Sequence, residues 1–400
     1  MLFSQRVDFS APNPITTATA KARSAGRTLL NLSDSNPTRL GLAPAILPDT
    51  YQAHPRGPLS ARRLLADFLN TYHSNQHSWA DPELLYVLSS TSQAYAWLMT
   101  LLCDPGSAVL TPAPGYPLID SLARLQDVEA IPYPLHWYGR WSVDLAAVEQ
   151  ILTGPDKNRI RALVVINPNN PTGSFLHADD IEGLVGLCAR FDIPLIADEV
   201  FFDYAFSATS GTRLAGEDRV LTFSLDGLSK KLAAPHAKVA WIQVSGPDDA
   251  VDQAMQRLDV IADDFLPMSS LILHALPDLL SQVPSQVEVV RARTQKNLDQ
   301  MRRVVDASKT GVTSVVLPEG GWSALLRFPS LIDEDDLVLS LIQQDGISVQ
   351  PGYFFSMPHP GFISVSLLLE PDVFAHAVTR VVQRIDALSI EVPVASHPVS

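Results

Sequence analysis

Only two of the 400 residues are cysteine, Cys103 and Cys188, and both stand in apolar stretches. That excludes a disulfide framework and a cysteine metal centre, and it suits a reducing compartment in which thiols act as small buried hydrophobes. Long hydrophobic runs are missing as well: none approaches the roughly 20 residues that a bilayer-spanning helix needs. The opening MLFSQRVDFS lacks the basic-then-apolar order of a secretory signal, so the cytoplasm is the expected location. Basic charge is scarce, with 29 Lys and Arg against 43 Asp and Glu and a net charge of −14. Clustered cations able to neutralise a nucleic-acid backbone are therefore not expected. Internal repeats and low-complexity tracts are also absent. What the chain has in quantity is apolar residues, 46% against 18% charged, enough for a large domain with a cofactor-sized interior and a second, smaller one.

Three segments carry chemistry. Residues 221–244, LTFSLDGLSKKLAAPHAKVAWIQV, read as strand, Gly-Leu-Ser-Lys turn and returning strand, which can hold Lys230 at a cleft floor. A lysine amine has an ordinary pKa of roughly 10.4, so nucleophilic use requires burial, a neighbouring cation or Schiff-base formation. Residues 163–173, LVVINPNNPTG, are a β-branched run stopping at an Asn-Pro turn, and residues 193–204, IPLIADEVFFDY, are another apolar run ending in two carboxylates. Two buried strands that end in polar groups, with helical stretches between, predict a parallel α/β sheet with its site at the strand carboxyl ends. Asp198 would then lie inside the protein, where a carboxylate needs a compensating partner. Farther upstream, LLYVLSSTSQAYAWLMTLLC (84–103) predicts a strand, a hydroxyl-rich helix start and a helix. Such a start caps the helix and binds phosphate through its free N–H groups.

NPNNPTG, ADEV and the Ser-Lys with a basic residue eight positions later resemble, in order and spacing, the class I/II pyridoxal-phosphate aminotransferases, and the resemblance spans essentially the whole chain. It implies the fold type I architecture: a three-layer α/β/α large domain with a mostly parallel sheet, plus a smaller α/β domain. Residues 1–45 would form an arm and part of the small domain, 46–283 the large cofactor-binding domain, and 284–400 an interdomain helix, Pro284 near its start, with the small carboxyl-terminal domain. Lys230 would form the Schiff base with the cofactor and then move the proton, while Asp198 would hold the pyridinium nitrogen. Ser90, Thr91 and Ser92 would cup the phosphate with help from Ser229 and Lys238. Tyr116 would stack on the ring and Asn170 would bond its phenolic oxygen. Tyr51 would reach the neighbouring subunit's cofactor, which implies a homodimer, and Arg39 would contact substrate.

Four positions depart from that pattern. Phe201 stands where a tyrosine is common, Gly227 where a phosphate-binding serine is common, and Lys238 where arginine is usual, which gives a point charge in place of a bidentate fork. Ser364 stands where the family generally has the arginine that grips the substrate carboxylate, leaving Arg39, Arg56 or Arg327 as substitutes. The expected reaction is amino transfer between an amino acid or amine and a 2-oxo acid, with no metal. A lyase or decarboxylase using the same Lys230 and Asp198 is the alternative, because the bond broken depends on pocket geometry. A cofactor-binding regulatory module would need a DNA-binding segment, and the first 45 residues contain no helix-turn-helix pattern.

Overall fold

The computed structural model describes residues 3–4, 21, 24–26, 51–73, 80–207 and 211–391. Its main sheet has eight strands: β1 (Leu85–Leu88), β2 (Ala108–Ala113), β3 (Glu129–Trp137), β4 (Trp141–Val143), β5 (Ile160–Ile166), β6 (Leu195–Asp198), β7 (Thr222–Gly227) and β8 (Ala240–Ser245). The spatial order is β1-β8-β7-β6-β5-β2-β3-β4. β7, β6, β5, β2 and β3 run parallel, whereas β1 and β7 flank β8 antiparallel and β4 returns antiparallel on β3. The sheet is therefore mixed, with a parallel centre.

Strands apolar at every position need cover on both faces, and helices supply it. They are, in chain order, α1 (Leu59–Tyr72), α2 (Thr91–Leu102), α3 (Leu118–Leu125), α4 (Leu145–Thr153), α5 (Ala178–Phe191), α6 (Leu228–Lys231) and α7 (Asp248–Phe265). In β5, Ala162 and Val164 pack with α2, α3 and α7, while Leu163 and Val165 face α4 and α5. Cys103 and Cys188 are fully buried, one in each of these layers. α1 covers Leu85, Val87 and Val239 at the β1–β8 end.

After the short α8 (Ser270–His274) comes α9, Leu276–Asp306, which starts eight residues before Pro284. Pro277 occupies its first turn, where no N–H partner is required, and Pro284 lies inside the helix. Pro284 is exposed while its neighbours Val283 and Val287 are buried against α1, so packing outweighs the lost backbone hydrogen bond. The 283/284 division falls within this continuous helix. Its second half, with α10 (Glu334–Ser340) and α11 (Pro371–Glu391), covers an antiparallel sheet of order β11-β12-β10-β9. Those strands are β9 (Ser314–Val316), β10 (Ser323–Arg327), β11 (Gln350–Pro351) and β12 (Phe362–Ser366). Among the described residues, no helix is long and apolar enough to cross a membrane.

Candidate active site

Strand direction gathers the site. β2, β5, β6 and β7 are parallel, and β1 points the same way because β8 is antiparallel to both β7 and β1. The segments that follow all five strands therefore emerge on one edge, as the rule for open α/β sheets requires. They carry Ser90 to Ser92 after β1, Tyr116 after β2, Asn170 after β5, Asp198 at the end of β6, and Ser229 and Lys230 after β7.

Ser90 is the N-cap of α2: its hydroxyl accepts the Gln93 N–H at 3.2 Å, and the Ser89 hydroxyl donates to Gln93 Oε1 at 2.7 Å. The remaining amides of that first turn, with the helix dipole behind them, form an anion cradle beside half-buried Thr91 and Ser92. One turn farther on, Tyr95 donates its hydroxyl to Asp198 Oδ2 at 3.0 Å. Thr91 and Tyr95 are separated by about 6 Å of helical rise, so one helix carries both the free first-turn amides and the hydroxyl that meets the carboxylate.

Asp198 is buried, and its other oxygen accepts the Val200 N–H at 3.2 Å. Burial pushes its pKa up to about 6, against the opposing pull of those two donors and of Lys230. Tyr95, raised far above the tyrosine range by burial and by Asp198, stays neutral and donates. Lys230 is half-buried, and burial lowers its pKa while Asp198 raises it. Its Nζ lies 5.2 Å from the Phe201 ring centroid and 5.1 Å from that of Trp322. The Tyr204 hydroxyl donates to the Lys230 carbonyl at 2.6 Å.

Sequence reasoning did not single out Tyr95, Tyr204 or Trp322. Trp322 comes from the small-domain side, and its place depends on the turn after β5. Gly173, at φ +67°, lets its carbonyl accept from Glu319 N–H at 3.0 Å and Gly320 N–H at 2.9 Å. A Cβ on Gly173 would come within 2.5 Å of the Gly320 oxygen, so only glycine allows this contact. The Gly-Gly pair before Trp322 was the available signal. In the same turn Asn167 and Asn169 are structural: Asn167 donates to Thr212 O and accepts from Leu176 N–H, and Asn169 donates to Pro114 O. Asn170 is half-buried.

Tyr116 is 41% exposed and Tyr51 45%, and Lys238 is exposed in the loop between α6 and β8. Arg39 lies outside the described residues. Arg56 is not available as a carboxylate clamp, because Asp259 takes its guanidinium bidentately and Glu83 O takes a third N–H. Ser364 is buried in β12 opposite Leu325 and Gln350, and Arg327 is exposed at the end of β10. Arg327 stands five residues, about 16 Å of strand, beyond Trp322, and so away from the cleft where Trp322 meets Lys230.

Gly227 has a local explanation. A Cβ there would meet Val239 O and Ala240 Cβ at 2.9 Å, and Val239 O already accepts Leu228 N–H at 2.8 Å. Gly227→Ser is therefore expected to lower stability by about 1–3 kcal/mol, read as a reduced urea midpoint; an unchanged midpoint would contradict the close approach of β7 and β8.

A family model described as "Aminotransferase class I and II" matches residues 51–381. An alanine aminotransferase of Mycobacterium tuberculosis is 27% identical over 398 residues, covering 94% of this chain and 90% of that protein. Among solved structures, an aminotransferase from Escherichia coli has a TM-score of 0.74 at 20% identity, covering 97% of this chain and 98% of that one. A PLP-bound chain from Clostridium difficile has a TM-score of 0.70 at 17% identity, covering 84% and 85%.

Proposed function

This chain belongs to the class I and II aminotransferases and is a pyridoxal-phosphate-dependent aminotransferase acting on amino and oxo acids, and on that premise we propose that Lys230 and Asp198 are its catalytic pair. The observation that supports the pairing is their opposition on the sheet's carboxyl edge. There a lysine with its pKa lowered by burial faces a buried carboxylate that, among the described residues, has neutral donors but no ion pair within 4 Å. Bound pyridoxal phosphate supplies an aldehyde carbon that condenses with amines and a pyridine ring that draws electron density from the substrate α-carbon.

Asp198 fits a protonated ring nitrogen, whose positive charge would offset the burial that raises its pKa, and Tyr95 orients the carboxylate for it. The amides and hydroxyls of Ser90, Thr91 and Ser92 take the phosphate, with Ser229 beside them and Lys238 adding a point charge. Tyr116 would stack on the ring and Asn170 would bond its phenolic oxygen, to which Phe201 could offer no donor. Lys230 would supply the amine that holds the cofactor and would carry the proton to and from the substrate α-carbon. Exposed Tyr51 suits contact with a second copy in a homodimer, and two buried free thiols suit the cytoplasm. Arg39 remains the substrate-carboxylate candidate and Ser364 a secondary one, whereas Arg327 points away from the cleft and is not retained.

The family description and the matched alanine aminotransferase do not favour a lyase or decarboxylase. Adding amino acids singly to the cofactor-loaded enzyme, without an oxo-acid acceptor, is expected to convert the cofactor absorbance to that of the pyridoxamine form. If ammonia or carbon dioxide appears instead and the absorbance returns unchanged, amino transfer is the wrong reaction.

A further inference from the structure

Behind Lys230 the fold buries a second set of charges that the cofactor chemistry leaves unused. Lys231 is 1% exposed; its ammonium hydrogen-bonds to Asp203 and lies 3.0 Å from Asp226 Oδ2. Buried Arg213 reaches Glu199 at 3.2 Å, Asp203 at 3.4 Å and Asp226 at 3.6 Å. His73 Nε2 is 3.7 Å from Asp203, but burial, Arg213 and Lys231 push its pKa down to about 2, so the ring is neutral. The face of Tyr72 lies 5.7 Å from Lys231 Nζ. Burial pushes Asp203 up, yet Lys231 and Arg213 more than offset it and the carboxyl sits below its ordinary range; burial raises Glu199 to about 7. Three carboxyl groups thus face two basic side chains with almost no access to water. Charge clusters of this kind add little to stability over apolar packing, because desolvation opposes the attraction. Stability alone does not account for the arrangement.

Its connections suggest what does. α6 is a single turn, too short to hold its own shape. Asp226 belongs to β7, which leads into that turn, and Asp203 belongs to the turn after β6, next to the Tyr204 that bonds the Lys230 carbonyl. Side chains of consecutive helical residues point about 100° apart. Fixing the Lys231 side chain between Asp203 and Asp226 therefore fixes the rotation of α6 and the direction in which Lys230 leaves it. The pairing also holds the Lys231 amine inside the protein, so that of the two adjacent lysines only Lys230 reaches the cleft.

We propose that Lys231, clamped between Asp203 and Asp226, is a positioning residue that sets the rotation of α6 and aims Lys230 into the cofactor site. The inference rests on the reading that Lys230 holds the cofactor. Lys231→Met alone leaves both aspartates to Arg213 and is expected to fold poorly. The informative variant is Lys231→Met with Asp226→Asn, which keeps the net charge of the network; Asp226→Asn alone, which opens one jaw of the clamp and leaves Lys231 paired with Asp203, is measured beside it.

Apoprotein is mixed with pyridoxal phosphate, quenched with borohydride at intervals and mapped by peptide mass. The wild type is expected to be labelled at Lys230, the double variant at the same lysine about ten- to a hundredfold more slowly, and the single variant at an intermediate rate. The double variant is also expected to lose kcat by a similar factor, with the KM for the amino donor changing little. Labelling at the wild-type rate in either folded variant, with kcat unchanged, would overturn the inference while leaving the Lys230 reading intact. A wild type labelled elsewhere would overturn that reading and this inference together.

Discussion

Lys230→Met is expected to reduce turnover by on the order of 10⁴ and to leave no cofactor attached after borohydride treatment. Among the described residues this side chain is the amine whose charge acts on Asp198, and its Nζ lies near the rings of both Phe201 and Trp322. Its neighbour cannot replace it: Lys231 is buried on the other side of α6 and held by two carboxylates. Overall folding should survive, because Lys230 is half-buried and its backbone, which Tyr204 grips, is unchanged. The measurement is single-turnover amino transfer together with a melting curve. A variant that keeps more than a hundredth of the wild-type rate with the cofactor covalently bound would mean that a different lysine does the work.

Asp198→Asn should lower turnover by about 10³ or more, since it removes a preorganised charge from the place where ring cation character develops. In the apoprotein the same change should be stabilising. The folded carboxyl has a pKa of about 6, above the ordinary unfolded value of about 3.9. Below roughly pH 4 both states are protonated and Asp198 carries no penalty. Between about pH 4 and 6 the native state holds a proton that the unfolded state has released, so stability falls as pH rises. Above about pH 6 the penalty is constant, about 3 kcal/mol for a shift of two units. The asparagine apoprotein should therefore match the wild type at pH 3.5 and exceed it by about that amount at pH 8. Pyridoxal phosphate should reverse the ranking, stabilising the wild type far more than the variant. Denaturant melts of both proteins at the two pH values, with and without cofactor, check the four cases; equal stability at pH 8 without cofactor would remove the argument that Asp198 awaits a cation.

Much of this arrangement was legible along the chain because it is local. Apolar runs that stop abruptly at polar residues, IPLIAD and RALVVIN, marked central strands whose ends carry Asp198 and Asn167. SSTS before an apolar helix marked the cap at Ser90, since capping is decided by the residues at the terminus itself. Pro284 misplaced the start of α9 because a local breaker rule lost to the burial of Val283 and Val287 on either side. Tyr95 reads as one more apolar position of α2; only the packing of that helix against the sheet brings its hydroxyl to Asp198. Arg56, which reads as a spare cation near the cleft, is consumed by an aspartate 203 positions away.

The linear chain, then, determined the α/β class, the strand ends that bear the chemistry, and the lysine and aspartate on them, because periodicity, capping and turn formation act over a few residues. The tertiary structure alone decided which charges neutralise one another. Lys230 and Lys231 are adjacent and identical in type, and only long-range packing sends one to the cleft and the other to Asp203 and Asp226. The physical reason is that desolvation and Coulomb terms depend on distance in space and on burial, neither of which a residue's position along the chain records.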